Sequence, residues 1–201
     1  MPEYGTIYAD PPWHFKTYSA AGMGRSAAAW YDTMTLDEIM ALSVENLSAP
    51  DSVLVLWTTD PFLRIAFDVI ESWGFKFKTV GFYWVKTPVS WFGTGYWTRA
   101  NPEQCLLATR GSPRRLSADV PKLVMSPRRE HSRKPDEMYD LIERLCTGPY
   151  IELFARQKVP GWDALGNEAE IGPRKTRRWG SSHGPTTPPT TTRLVIPGTK
   201  P

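Results

Sequence analysis

The continuous apolar run Ser52-Val53-Leu54-Val55-Leu56-Trp57 is the feature that most narrows the folds open to this chain. A strand with one wet face alternates apolar and polar residues, whereas a run this uniform needs cover on both faces, as in the parallel sheet of an α/β protein. A second apolar run, Tyr4-Gly5-Thr6-Ile7-Tyr8-Ala9, leads directly into Asp10-Pro11-Pro12-Trp13. Proline fixes its own φ and biases the preceding residue toward extended backbone, so Asp10 is held at a strand end and is not carried into a helix. Ligand sites of open α/β sheets lie at the carboxyl ends of strands. A carboxylate, two prolines and an aromatic ring there suit a planar base with an exocyclic amino group, Asp10 binding the amine and Trp13 stacking beside it. The alternative, with equal weight from these four residues alone, is an ordinary Pro-rich turn with a core Trp.

The rest of the chain has the punctuation of alternating strands and helices. Residues 14–34, rich in Ser, Ala and Gly, read as a loop placed to act as a lid. Thr35 and Glu38 form a capping box that opens a helix through about Leu47. Thr58-Thr59-Asp60-Pro61 starts a second helix, with Phe62, Ala66, Val69, Ile70 and Trp73 at helical spacing and Gly74 as its stop. Phe75 to Lys86 reads as a strand, residues 87–102 as a long loop heavy in aromatics, and Glu103 to Thr109 as a returning strand. Lys134-Pro135-Asp136-Glu137 opens a helix whose Met138, Leu141, Ile142 and Leu145 make a core stripe. Tyr150 to Arg156 is a strand with a charged end, and Gly161 to Glu168 closes the globular part.

Charge separates this body from the C-terminal stretch. Residues 172–201 carry six basic and no acidic residues, with six Pro and seven Thr, and cannot bury enough apolar surface to order themselves. A catalytic domain over 1–171 and a basic Pro/Thr-rich tail are the expected organisation; a foreign, cloning-derived end is the alternative reading of the tail. Within the body, Arg110 to Lys134 holds eight basic residues against Asp119 and Glu130, the electrostatics of a phosphate-binding face, with Arg128 and Arg129 as candidate contacts. Read as structure alone, it is a solvated loop. Cys105 and Cys146 are too few and too isolated for a disulfide framework or a zinc site. No apolar run is long enough to span a bilayer and no signal-peptide pattern opens the chain, so no membrane, no metal and a cytoplasmic location are expected.

Four blocks in order resemble the MT-A-seventy family of S-adenosylmethionine-dependent N6-adenine methyltransferases over roughly residues 4–168. They are Tyr8 to Trp13; Tyr31-Asp32-Thr33-Met34 with the capped helix; Thr94-Gly95-Tyr96-Trp97 through Glu103-Gln104-Cys105-Leu106; and Ser132 to Glu137 through Ile151 to Arg156 and Leu165-Gly166-Asn167. The resemblance implies a Rossmann-like methyltransferase sheet, mostly parallel and flanked by helices, in permuted order, with the catalytic turn ahead of the cofactor-binding strand. It implies that Asp10, Pro11, Pro12 and Trp13 form the catalytic turn, the Asp10 carboxylate and Pro11 carbonyl accepting from the adenine amine. Tyr31, Trp97 and Glu103 would line the adenosine pocket, and Lys134 would hold the methionine carboxylate of the cofactor. Phe154, Arg156 and Asn167 would contact its nucleoside part, with Glu152 and Leu153 shaping that subsite and Asp10 touching the cofactor as well. Larger members also use sequence upstream of the turn, yet nine residues precede Asp10, so that contact is expected to be simplified or supplied otherwise. Polar residues that the family carries at Gln157, Lys158 and Glu168 are replaced.

The expected partner is nucleic acid, DNA before RNA because the chain reads as a minimal catalytic domain, with a homo-oligomer or partner subunit left open. A non-catalytic nucleic-acid-binding paralogue is the competing class. The intact Asp-Pro-Pro-Trp turn argues against it, since a pure binding module needs no methyl-donor groups.

Overall fold

The computed structural model describes residues 3–13, 34–90, 92, 93, 95, 97–129, 133–166 and, as backbone, 170 and 171. Seven strands form the main sheet: β1 (Tyr4–Ala9), β2 (Ser48–Thr58), β3 (Lys76–Thr87), β4 (Glu103–Arg110), β5 (Leu123–Pro127), β6 (Tyr150–Leu153) and β8 (Trp162–Leu165). β7 (Gln157–Lys158) and β9 (Glu170–Ile171) form a separate parallel pair. Across the main sheet the order is β5-β3-β4-β2-β1-β6-β8. β4 is antiparallel to both its neighbours, and the four remaining pairings are parallel. Six strands therefore point one way and only β4 returns. The sheet is mixed and mostly parallel, as the apolar runs lead one to expect.

The alternation along β2 shows why that run is uniformly apolar. Leu54 and Leu56 join Ile7, Ala9, Ile151 and Leu153 on one face, beneath α1 (Leu36–Met40) and α2 (Leu63–Ser72). Val53, Val55 and Trp57 join Tyr8, Trp84 and Cys105 on the other, beneath α3 (Glu137–Leu145). Both faces are covered, so neither set of alternate residues can be polar.

Two sequence expectations need correction. The capping box is present, with Glu38 accepting from the Thr35 backbone at 2.8 Å. The helix it opens stops at Met40, and Val44–Leu47 is a separate 3₁₀ turn. Ile39 and Val44 are both buried in one cluster, yet five positions apart they lie ~140° apart around a straight helix; breaking the helix brings both inward. The Arg-rich segment is not only a loop, since Leu123–Pro127 is a strand at the sheet edge. Only Val124 and Ser126 of its five residues are buried, too short an alternation to read. Residues 14–33 and 172–201, the expected lid and tail, lie outside the described residues.

Candidate active site

Because six strands point one way, their carboxyl ends share one edge, and β4 contributes its first residue, Glu103, to that edge. From β1 the chain crosses to β2 on one side, and from β5 it returns through α3 to β6 on the other. The sheet order thus reverses between β1 and β6, the topological switch point where such sheets bind ligands. Asp10 follows β1 there, and Phe154 follows β6.

The turn is held by its own backbone and by its tryptophan. The Trp13 N–H donates to the Pro11 carbonyl at 2.8 Å, and Pro12 accepts from the Met34 N–H at 3.1 Å. Trp13 is buried, donates its ring N–H to the Trp57 carbonyl at 3.3 Å and stacks on Phe62 at 5.5 Å. Here Trp13 is an anchor that aims Asp10, and one of its ring faces is occupied by Phe62. The Pro11 carbonyl keeps one lone pair beyond its bond to Trp13.

Asp10 belongs to a row of four alternating charges. Its Oδ2 accepts from Lys134 Nζ at 2.8 Å; Lys134 also lies 3.3 Å from Glu103 Oε2, and Glu103 Oε1 accepts from Lys86 Nζ at 2.6 Å. The four side chains are only 13–20% exposed. Each ammonium also faces a tryptophan ring, Lys134 over Trp57 at 5.3 Å and Lys86 over Trp84 at 5.1 Å. Burial disfavours the Lys134 ammonium, but Asp10 and Glu103 outweigh it and raise its pKa above the ordinary lysine value. Burial likewise opposes ionisation of Glu103, and Lys134 and Lys86 overcome it and hold the carboxyl below its usual range. Lys134 has three N–H donors and uses two on these carboxylates.

Glu152 is a second, differently poised carboxyl. It sits beside Tyr8 across the β1–β6 pairing and accepts from the Tyr139 hydroxyl at 2.7 Å. Burial pushes its pKa up to about 8; the Tyr139 hydrogen bond offsets part of that, the Asp10 charge adds to it, and Arg156 and Arg133 pull it down. The folded protein therefore keeps this proton up to about pH 8, while an unfolded carboxyl with a value of 4.5 has lost it. Stability falls as pH rises from about 4.5 to about 8 and is flat above. Glu152→Gln removes this loss. Its gain over wild type is expected to grow across that window to on the order of 2 kcal/mol, read as the difference in Tm at pH 5.5 and 8.5.

The remaining predicted residues divide clearly. Phe154 adopts φ +62°, which swings the chain away from the sheet after β6, and Leu153 is buried in the core beneath α1 and α2. The strand after it returns so closely that a Cβ on Gly166 would lie 2.4 Å from the Ala155 carbonyl, so only glycine fits. Arg129 is committed to the start of α3, to Asp136 at 2.9 Å and Glu137 at 3.3 Å, while Arg128 is exposed. Trp97 is 94% exposed with φ +68°. Tyr31 and Asn167 lie outside the described residues. The structure adds Lys86 and Tyr139, which the sequence reading overlooked: one looks like a strand end and the other like a helix neighbour of Met138, and only the β3–β4 register and the α3 packing bring them to the site.

The mostly parallel sheet, with a Pro-Pro turn, a carboxylate and a buried ammonium at its switch point, has the architecture of an α/β methyltransferase fold. The chain belongs to the MT-A70 family, whose profile matches residues 4–168. It is 34% identical to the type II methyltransferase M.MunI of Mycoplasma over 83% of this chain and 78% of that protein. It is also 34% identical to the N(6)-adenosine-methyltransferase MT-A70-like protein of Arabidopsis thaliana over 82% of this chain, and 30% identical to the human N(6)-adenosine-methyltransferase catalytic subunit METTL3 over 84%. Of those two the chain spans only 24% and 28%. Among the described residues no group of His, Cys, Asp and Glu side chains could hold a metal ion, and no helix is long and apolar enough to cross a membrane.

Proposed function

We propose that the protein transfers a methyl group from S-adenosylmethionine to the N6 amine of adenine in DNA. The observation that carries this reading is Asp10, paired with Lys134 at the switch point, on a turn whose Pro11 carbonyl is a second acceptor for one amino group. Family membership supports the methyl-transfer class.

The residues present suit the cofactor by the chemistry of their donors. Lys134 has one N–H left for a carboxylate, Asp10 is an acceptor for ammonium or hydroxyl groups, and Phe154 follows β6 with an aromatic ring. Arg156 and Asn167 are the further residues assigned to the nucleoside. Bound S-adenosylmethionine supplies a methyl group activated by its sulfonium centre. Everything else falls to the chain. The adenine amine is a poor nucleophile because its lone pair is delocalised into the ring. Hydrogen bonds from its two N–H groups to Asp10 and to the Pro11 carbonyl favour a more pyramidal nitrogen and fix its approach, lowering the barrier by positioning and by charge placed in advance. The nitrogen gains the methyl group as the methyl–sulfur bond breaks, with that bond's electrons staying on sulfur, and gives up one proton to solvent by way of its hydrogen bond to Asp10. A paired base cannot reach this edge, so the adenine is flipped out or taken from a single strand, with Tyr31 and Trp97 proposed to replace its stacking partners.

DNA is favoured because the chain spans most of M.MunI and only about a quarter of the adenosine methyltransferases. RNA is the second reading, supported by the word adenosine in the names of those relatives. Labelled S-adenosylmethionine with matched DNA and RNA strands, followed by quantitation of N6-methyladenine, decides. Label in RNA alone would overturn the DNA assignment, and label in neither would overturn the enzyme.

Arg128 is exposed, whereas Arg129 is held at the start of α3 by Asp136 and Glu137. Arg128→Ala is expected to reduce the salt slope of nucleic-acid binding by about one. Arg129→Ala is expected to leave the slope unchanged and to lower Tm, because it strips Asp136 and Glu137 of a partner. A slope unchanged from wild type in both variants would return the segment to a solvated loop.

A further inference from the structure

The end of β3 is fixed in an unusual way. β3 and β4 pair with Tyr83 opposite Gln104 and Trp84 opposite Glu103, so the next pairing of that kind would set Lys86 opposite Asn101. The ladder stops short of it, at Trp84 opposite Glu103. The side chain of Asn101 takes over. Its Oδ1 accepts from the Lys86 N–H at 2.8 Å and its Nδ2 donates to the Lys86 carbonyl at 2.9 Å, a side-chain copy of a strand pairing. Asn101 is itself buried. Lys86 is thus held at both backbone atoms, on the face of β3 that carries Trp84, with its ammonium on Glu103.

The consequence lies two charges away. Without Lys86, the row Asp10, Lys134, Glu103 has two buried carboxylates competing for one ammonium. With Lys86 satisfying Oε1 of Glu103, Lys134 sits closer to Asp10, at 2.8 Å, than to Glu103, at 3.3 Å. We propose that Lys86, clamped by Asn101, is a positioning residue for the methyl-transfer reaction: by holding Glu103 it leaves Lys134 on Asp10, and so fixes the carboxylate that meets the adenine amine. This rests on the reading given under Proposed function. Lys86 touches neither substrate nor reacting atoms and acts through Glu103 and Lys134.

The test uses the full chain with Lys86→Met, Lys86→Arg and Asn101→Ala. Lys86→Met is expected to lower kcat about tenfold, the size of a coupling within one salt-bridge network, with KM for cofactor and polymer changed less than about twofold. Lys86→Arg restores most of kcat. Asn101→Ala, which keeps all four charges and loosens the clamp, gives a smaller loss in kcat alone and serves if the methionine variant is unfolded. In an Asp10→Asn background Lys86→Met is expected to cost nothing further; an equal tenfold loss there would show that Lys86 does not act through Asp10. An activity-free readout accompanies these: the NMR signal of the Lys134 ammonium, assigned by its loss in Lys134→Arg, should move in Lys86→Met and return in Lys86→Arg. If that signal moves while wild type transfers no methyl group, the positioning stands and the enzyme reading falls. Unchanged kcat and an unmoved signal, with only Tm lowered, would reduce Lys86 to a neutralising partner and overturn the proposal.

Discussion

Asp10→Ala is expected to reduce methyl transfer about 10³-fold at saturating substrate while leaving a folded protein. The size comes from the job proposed for the carboxylate, an acceptor placed in advance where charge develops on the attacking nitrogen; removing one such polar group typically costs 10²–10³-fold or more. The fold survives because Lys134, the group most exposed to the loss, still has Glu103 at 3.3 Å and the Trp57 ring beneath it. Asp10 also contributes nothing to the two apolar clusters, which hold the sheet through residues such as Ile7, Tyr8, Leu54 and Trp57. Asp10→Asn is the sharper control, keeping the shape and one carbonyl acceptor and losing the charge, with an expected loss nearer 10²-fold. Incorporation of labelled methyl into the preferred polymer, with Tm alongside, measures both. Undiminished transfer by Asp10→Ala would remove Asp10 from the chemistry and leave its bond to Lys134 as a structural ion pair.

The sequence made the sheet legible wherever burial was two-sided. Residues 4–9 and 52–57 could not be so largely apolar unless both faces were covered, and the turn after Ala9 lies at a carboxyl end because it follows that strand, with Pro11 biasing Asp10 toward extended backbone. What stayed hidden depends on register and on single side chains. Leu123–Pro127 pairs on one side only and buries two residues, too few to show a period. The helix after Thr35 breaks because Ile39 and Val44 must face the same core, a tertiary demand that a good capping box does not reveal. In the site, Asp10, Glu103 and Lys134 were each named from their blocks, but as separate contacts to substrate and cofactor. That they form one row with Lys86 comes from the β3–β4 register and from α3 returning over the sheet, and neither is written in local spacing. Trp13 makes the same point, since Phe62 pins one face of its ring and its ring N–H donates to the Trp57 carbonyl, an anchoring that local spacing does not reveal.

Lys134→Met is expected to destabilise the protein by about 3 kcal/mol near neutral pH and to abolish most methyl transfer. Removing one partner of a buried ion pair costs ~3–5 kcal/mol, because the other charge is left without compensation, and the lower end applies here since the carboxylates keep some contact with water. The variant strands Asp10 in a site that is 20% exposed, and leaves Glu103 leaning on Lys86 alone. The cost depends on pH with a definite sign. Lys134 helps to hold the Glu103 pKa below its ordinary value of 4.5, so the stability this supplies is present above about pH 4.5 and is lost on acidification, as Glu103 takes up a proton. Urea unfolding of wild type and Lys134→Met should therefore differ most at pH 7.5, and the difference should shrink as the pH falls below about 4.5. Lys134→Arg should recover part of the stability and little of the activity: the charge is kept, but a planar fork cannot place one N–H on Asp10, one on Glu103 and a third toward a cofactor carboxylate as a tetrahedral ammonium can. Equal stability of the methionine variant at pH 7.5 would mean that Asp10 and Glu103 are solvated well enough to stand alone, and the row of charges would lose its claim to organise the site.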